Sequence, residues 1–260
     1  MLSSNSELTS TFYHGKFYDL IFGSSYRYAI QSQDIDFWRS MAQNYGSPVL
    51  ELACGTGRIG AILANEGLKL TGIEISESML ETAQAKSQAA QWIQANVCNF
   101  DLKTQFPLII FPYDTLTHLH SFEEVSQCLK CVRNHLDLGG HFIIDLKNPH
   151  YIFDILENPD RIDFYSQFTH PEDGSQIEVK RKRRYDSWKQ IHTMTLLFYR
   201  NQVQFNQEDL NLRIFWPQEI TKILQDNHFE IIQVWGDYQY GQYGDQSSHM
   251  ILDCKAIPLV

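Results

Sequence analysis

No stretch of this chain approaches the roughly 18 consecutive apolar residues that a membrane helix needs. Residues 1–10 are polar and lack the basic start and apolar run of a secretory signal. No membrane partner is expected, and the chain reads as cytoplasmic. Basic residues are outnumbered, with 21 Lys and Arg against 31 Asp and Glu and a net charge of −10. That field repels phosphate backbones and argues against a nucleic-acid partner. Cysteine is sparse and odd in number: Cys54, Cys98, Cys128, Cys131 and Cys254. A disulfide framework is therefore not expected, and the thiols read as reduced. Cys128 and Cys131 form a CxxC near His135, but no second pair accompanies them, and their spacing on a predicted helix suits core packing better than zinc. The chain has no internal repeat and no low-complexity linker.

What is present is ordinary globular composition, 43% hydrophobic and 20% charged over 260 residues. This is enough for one large domain, or one domain carrying an insertion. Residues 12–44 are rich in aromatics and read as short helices, the second over 30–42. Then strands and helices alternate. Pro48-Val49-Leu50-Glu51-Leu52 is an apolar run ending in a glycine turn, and 58–66 has helical spacing up to Gly67. Further strands are expected over 68–75, 90–97, 107–111 and 142–145. Ser76 caps a helix reaching about Lys86. Ser121-Phe122-Glu123-Glu124 fits a capping box opening a helix that Gly139-Gly140 should end. From about 161 to 215 strand follows strand, with Asp173-Gly174 as a hairpin turn between 162–169 and 176–185, and a further pair at 190–199 and 210–215. Pro217 then opens a helix, and 229–235 and 249–256 close as strands. The fold class is α/β: a parallel, Rossmann-like sheet with helices on both faces. The chain divides into a helical cap (1–45), an α/β core (46–150), an antiparallel insertion (158–215) and a closing segment (216–260).

Chemistry concentrates in Val49-Leu50-Glu51-Leu52-Ala53-Cys54-Gly55-Thr56-Gly57-Arg58. A buried strand runs there into a loop whose glycines let backbone approach a ligand. About 20 residues on, Glu74 ends the second strand, where a carboxylate can accept from both hydroxyls of a ribose. Gly55-Thr56-Gly57-Arg58-Ile59-Gly60 also matches the GxGxxG of dinucleotide enzymes, so an NAD-dependent oxidoreductase is one reading. Charge separates the two. A pyrophosphate at the helix start would meet Glu51, a like charge, whereas a sulfonium and an ammonium would be welcomed by it.

These residues resemble the motifs of class I S-adenosylmethionine-dependent methyltransferases. Leu50-Glu51-Leu52-Ala53-Cys54-Gly55-Thr56-Gly57 is similar to the first motif and Gly72-Ile73-Glu74-Ile75-Ser76 to the second. Residues 95–100, 112–119 and 136–140 resemble the adenine loop, the fourth-strand segment facing the methyl group, and the glycine turn before strand five. The resemblance implies a seven-stranded methyltransferase sheet and S-adenosyl-L-methionine as cofactor. It implies that Gly55 and Gly57 lie under the cofactor, Glu51 organises its methionine end, and Glu74 holds the ribose. Ile75 would pack on adenine, Asn96 and Val97 would read its edge, and Pro112 would contact the sulfonium end. Tyr18, Ala53, Arg58 and Met79 fall within the same cofactor set. Two departures are visible: Ala53 stands where a glycine is common, and Asn96 where an aspartate is usual.

The implied reaction is methyl transfer to a small molecule. The layout is similar to the branch of glycine/sarcosine and amino-sugar N-methyltransferases, so an amine nitrogen is expected, with O-methylation as the alternative. A non-catalytic binder of the same cofactor would look identical in these motifs. Asp114 and His118 are the catalytic candidates, near Asp145, Lys147 and Asn148 at the end of strand five. Asp114 reads equally as a turn cap, and His118 as a packing or helix-start histidine. Tyr13, Tyr28, Asn148 and Tyr240 are candidate substrate contacts, with Tyr13, Tyr18 and Tyr28 as a lid. Tyr238, Tyr240 and Tyr243 read equally as loop packing. The basic run Lys180-Arg181-Lys182-Arg183-Arg184 could attract an anion, although on a strand it alternates between faces, and ion-paired or solvated charges are the plainer reading. The chain is expected as a monomer or homodimer, with the insertion as a lid or a dimer contact.

Overall fold

Short apolar runs of four to six residues form the centre of this molecule because parallel strands buried on both faces need no polar alternation. The structure, a computed structural model, describes residues 14–22 and 28–258, the side chains of 28–33 excepted. Strands β1 (Val49–Leu52), β2 (Leu70–Glu74), β3 (Gln91–Gln94), β4 (Phe106–Phe111), β5 (Leu136–Lys147), β10 (Phe229–Trp235) and β11 (His249–Ala256) make one sheet. Their order is β10-β11-β5-β4-β1-β2-β3. β1 pairs in parallel with both β2 and β4, while β11 runs antiparallel to β5. This is the methyltransferase sheet that the motifs implied.

Helices cover both faces. α2 (Tyr28–Tyr45) and α3 (Gly60–Asn65) bury Phe37, Trp38, Met41 and Leu63 against Val49, Leu108, Ile110, Ile143 and Ile251. α5 (Phe122–His135) and α7 (Pro217–Asp226) bury Val125, Leu129, Ile220 and Leu224 against Leu52, Ile109, Phe142 and Ile144. Cys128 is fully buried in that second layer, with Cys131 packed against it. The expected caps hold: Ser121 and Glu124 form a capping box at the start of α5, and Ser76 caps α4 (Glu77–Lys86).

Some boundaries differ from expectation. α5 stops at His135, and β5 already begins at Leu136, so Gly139 and Gly140 lie inside a strand. A Cβ at Gly140 would come within 3.1 Å of the Phe106 and Pro107 carbonyls, so the glycine serves close strand approach and not helix termination. β3 is shorter than the expected 90–97, because the chain turns at the Asn96–Asn99 bridge.

Residues 152–213 supply α6 (Ile152–Glu157) and a separate antiparallel sheet, β6 (Ile162–Thr169), β7 (Gln176–Asp186), β8 (Ile191–Arg200) and β9 (Val203–Arg213), in sequential order. β9 begins seven residues before the expected 210–215 segment, since its first half is a polar edge recruited by pairing with β8. One face of this sheet packs on α1 (Gly15–Phe22): Ile21 joins Phe168, Ile177, Val179, Met194 and Leu196 in one buried cluster.

Candidate active site

The switch point of the sheet lies between β1 and β4, where strand order reverses and ligands of open α/β sheets bind. The loop after β1 carries three residues with positive φ: Ala53 (50°), Gly55 (55°) and Gly57 (71°). A Cβ at Gly55 would meet nothing within 4 Å, whereas one at Gly57 would strike Ala83 and Trp92 at 2.9 Å. Gly55 therefore leaves open space above the loop, and Gly57 lets the loop pack on α4. The Glu74 carboxylate accepts from the backbone N–H groups of Gly55 (3.1 Å), Ile75 (2.9 Å) and Ser76 (3.0 Å). It is thereby fixed beside the loop. Ile75 is an exposed apolar side chain next to it, 46% accessible, and Met79 is buried beneath at the start of α4. Asn96 is exposed and Val97 half-buried. The Asn96 Oδ1 already accepts from the Cys98 N–H at 2.8 Å, so any base-edge contact must share that oxygen.

Glu51 sits on β1, 2% exposed, and its Oε2 has no hydrogen-bond partner among the described residues. Burial pushes its carboxyl up to about 8, against the opposing pull of the Arg58 charge. A buried acid with an orphaned oxygen suits an ammonium arriving at the site. The same group, once ionised, would oppose a dinucleotide pyrophosphate, so the residues present fit S-adenosyl-L-methionine. Arg58 makes a two-pronged pair with Asp34 of α2, at 3.0 and 2.5 Å, and lies over the Tyr113 ring at 4.9 Å. Asp34 was not legible as a site residue, because a single acid in an amphipathic helix carries no local mark.

α1 covers this loop. The Thr56 hydroxyl donates to Asp19 (2.7 Å), and Lys86 from α4 pairs with Asp19 at 2.6 Å and donates to Thr56 at 2.9 Å. Tyr18, buried enough to hold its hydroxyl well above the usual range, stacks near Phe22, which in turn reaches Tyr113 and Tyr165. Helix α1 thus joins the cofactor loop to the antiparallel sheet.

The end of β4 faces the same space. Pro112 is buried. Tyr113 and Asp114 follow, both left-handed, with φ of 61° and 62°. Both of their N–H groups go to Asp145 on β5: Tyr113 to a carboxylate oxygen (2.9 Å) and Asp114 to the backbone carbonyl (2.9 Å). Asp145 is fully buried and also accepts from Tyr238 (2.7 Å) and pairs with His249 of β11 (2.8 Å). Burial alone would raise Asp145, but the His249 charge and these hydrogen bonds outweigh it and hold it below the usual carboxylate range. Burial works against the His249 charge too, and Asp145 overrides it, so His249 is raised. The Asp114 carboxylate accepts from the Lys147 N–H at 3.1 Å, with the Lys147 ammonium 3.9 Å away. Burial pushes Asp114 up to about 6 in spite of that ammonium. His118 ends a short 3-10 turn (Thr115–His118), and burial, aided by His120, brings it down to about 4. It is neutral near pH 7.

The remaining candidates divide. The Asn148 side chain is buried and engaged with backbone, accepting from His150 and donating to Gly244. Tyr240 packs on Phe37 and Trp235 over α2, and Tyr238 serves Asp145. Tyr13 lies outside the described residues, as does the side chain of Tyr28. The basic run alternates as a strand must. Arg181 and Arg183 face inward and pair with Asp163 and Asp154, while Arg184 pairs outward with Asp160.

Comparison with known proteins accords with this geometry. Residues 49–140 match the methyltransferase domain family. The chain is 26% identical over 214 residues to the putative methyltransferase YqeM of Bacillus subtilis (strain 168), spanning 80% of this chain and 83% of that one. It is 29% identical over 134 residues to the dTDP-3-amino-3,4,6-trideoxy-alpha-D-glucopyranose N,N-dimethyltransferase of Streptomyces venezuelae, which covers 51% of this chain and 56% of that relative. Among solved structures, an S-adenosylmethionine-dependent methyltransferase from Clostridium acetobutylicum ATCC 824 shares the fold, with a TM-score of 0.75 at 18% identity over 94% of this chain and 97% of that one. No helix among the described residues is long and apolar enough to cross a membrane.

Proposed function

We propose that this chain is an S-adenosylmethionine-dependent methyltransferase whose acceptor is an amine nitrogen of a small molecule. The observation that carries the reading is Asp114, a largely buried carboxylate raised to about 6 at the end of β4. When bound, S-adenosyl-L-methionine supplies a methyl group on a positively charged sulfur. The nitrogen lone pair forms the new N–C bond as the C–S bond breaks, and its electron pair leaves with sulfur. An amine reaches that step only after losing a proton, since an alkylammonium holds it up to about pH 10 by analogy with lysine. Asp114 can hold the ammonium and accept its proton. An alcohol hydroxyl lies much further from the reach of such a base. His118, down at about 4, is the weaker of the two bases and serves as a neutral polar wall. The remaining work is orientation and exclusion of water, assigned here to Tyr18 and Tyr113. The Streptomyces relative, named as an N,N-dimethyltransferase of an amino sugar, supports the same direction.

The test is turnover of S-adenosylmethionine, followed as S-adenosylhomocysteine, over one panel of amino sugars and amino acids and another of phenols and hydroxy acids. Turnover confined to amines, and reduced by Asp114→Asn, is the expected result. Turnover of hydroxyl compounds alone would turn the assignment to O-methylation. Cofactor binding with no acceptor in either panel, and no effect of Asp114→Asn, would favour a binding protein.

A further inference from the structure

Methyl transfer to an ammonium leaves one proton behind at each turnover, because the nitrogen must shed it before its lone pair can attack. Asp114 can take that proton, yet its side chain is only 13% exposed. It must pass the proton on before it can act again. Lys147 ties Asp114 to the group that could receive it. The Lys147 N–H donates to the Asp114 carboxylate at 3.1 Å, and across the ladder Lys147 is paired with His249, the first residue of β11. Opposed residues of an antiparallel pair share a face, and so does Asp145, two residues before Lys147 on β5. The Asp114 and His249 charges act on each other.

His249 is oriented as a base. Its Nδ1 meets one Asp145 carboxylate oxygen at 2.8 Å, while the other oxygen accepts from Tyr113 and Tyr238. An ionised carboxylate can only accept, so Nδ1 carries a proton in both forms of the ring, and Nε2 alone gains or loses one. Nε2 has no hydrogen-bond partner among the described residues. The side chain is 15% exposed, so this nitrogen is not sealed in. The Tyr238 ring packs on the imidazole with 4.4 Å between centroids and limits its rotation. Burial and the Lys147 ammonium oppose the imidazolium, whereas Asp145 and Asp114 favour it and prevail, raising His249. Tyr238 keeps its own proton, since burial holds its hydroxyl well above the usual range.

We propose that His249 is the proton outlet of the methyl-transfer site, its Nε2 taking the acceptor's proton on from Asp114 and giving it to water while Asp145 holds the ring. This rests on the amine reading above and deepens it. The N–H bond of the ammonium breaks to Asp114, and the freed lone pair forms the N–C bond as the C–S bond breaks. The proton then moves to Nε2 and leaves to the buffer. One proton is released for each methyl group, and Asp145 and Tyr238 end as they began.

The experiment follows turnover of the amine panel and, in the S-adenosylhomocysteine-loaded protein, the ring nitrogen NMR signals of His249. Across the neutral range Nδ1 should stay protonated and Nε2 should titrate. Asp114→Asn should lower that midpoint, since it removes a charge that favours the imidazolium. His249→Asn keeps an amide N–H for Asp145 but lacks the titrating nitrogen. It should lower kcat by about 100-fold and change KM by less than about threefold. Only neutral imidazole accepts a proton, so wild-type kcat should rise with pH through the His249 pKa, and His249→Asn should lose that rise. Imidazole in the buffer should restore turnover to His249→Ala; should that variant not fold, the His249→Asn profile decides. The proposal is overturned if His249→Asn keeps the wild-type kcat and pH profile, or if Nδ1 titrates in place of Nε2. A wild type that binds S-adenosylhomocysteine but turns over no amine would instead remove the reading on which the proposal stands.

Discussion

The Asp145 carboxylate accepts the backbone N–H of Tyr113 at 2.9 Å, from a strand on which it is otherwise wholly enclosed. Two successive residues at the end of β4 are left-handed, a conformation that costs about 1–2 kcal/mol each for residues with a Cβ. Asp145 binds both of their amides, through its carboxylate and its carbonyl. The turn that carries Pro112, Tyr113 and Asp114 is thus held from β5, not by its own sequence.

Under the proposed function Asp145 is expected to act as a positioning residue. Asp145→Asn should lower kcat by about 10- to 100-fold while the Kd for S-adenosylhomocysteine changes by less than about threefold. Breaking its buried pair with His249 should also cost roughly 3–5 kcal/mol in unfolding free energy. The pH dependence has two limbs. Asp145 is lowered in the folded state, so its stabilisation is present above its unfolded pKa and is lost as pH falls through the folded one. His249 is raised, so its share is present below its unfolded pKa and is lost as pH rises through the folded value. Denaturant titrations of the wild type and Asp145→Asn across pH should differ on both flanks; parallel curves would deny the pair this role.

Glu51 titrates the other way. Its folded pKa is raised from 4.5 to about 8, so between those values the folded protein holds a proton that the unfolded chain has released. The cofactor-free protein should lose stability as pH rises through that window, and Glu51→Gln should flatten the loss. An ammonium beside Glu51 favours the carboxylate, so cofactor binding at pH 7 should release a proton. Calorimetry in two buffers of different ionisation enthalpy reads this directly, and equal heats in both would contradict it.

Arg58 and Asp34 form a pair in which Asp34 is 2% exposed. Arg58→Met alone should destabilise the protein by about 3–5 kcal/mol by leaving that carboxylate uncompensated. The double replacement Arg58→Met with Asp34→Leu should recover much of the loss. Thermal unfolding of the two variants decides it, and additive losses would mean that the pair is not coupled.

Ala53 holds φ 50° without being glycine. Ala53→Gly relieves that strain but loosens the unfolded chain. The balance should be a gain of up to about 1 kcal/mol, with S-adenosylhomocysteine affinity little changed. A loss of stability would show that the Ala53 methyl packs usefully in this loop.

The candidate cofactor loop and the acid beside it were legible as local structure because their parts are contiguous. Glu51, Gly55 and Gly57 lie on one strand–loop–helix unit, and Glu74 with Ser76 on the next, each marked by a glycine turn or a helix cap that local stereochemistry demands. The insertion could be recognised from alternation, yet the first half of β9 could not, since a polar edge strand is specified by its partner and not by its own side chains. Asn148 and Tyr240 were singled out for their position near the ends of strands. The Asn148 amide goes to backbone carbonyls, and Tyr240 packs on Phe37 of α2 and Trp235 of β10.

By itself, then, the sequence determined the order of strands and helices, the glycine loop, the acid at the end of β2 and the class of cofactor, all set by short-range periodicity and by the charge beside the loop. Tertiary structure decided the rest. It brought Tyr238 to Asp145 across 93 residues and His249 to the same carboxylate across 104, and it laid α1 between the cofactor loop and the antiparallel sheet. The physical reason is that a buried charge must be paired. Any element that passes close enough can supply the partner, and no local pattern in the chain records which one does.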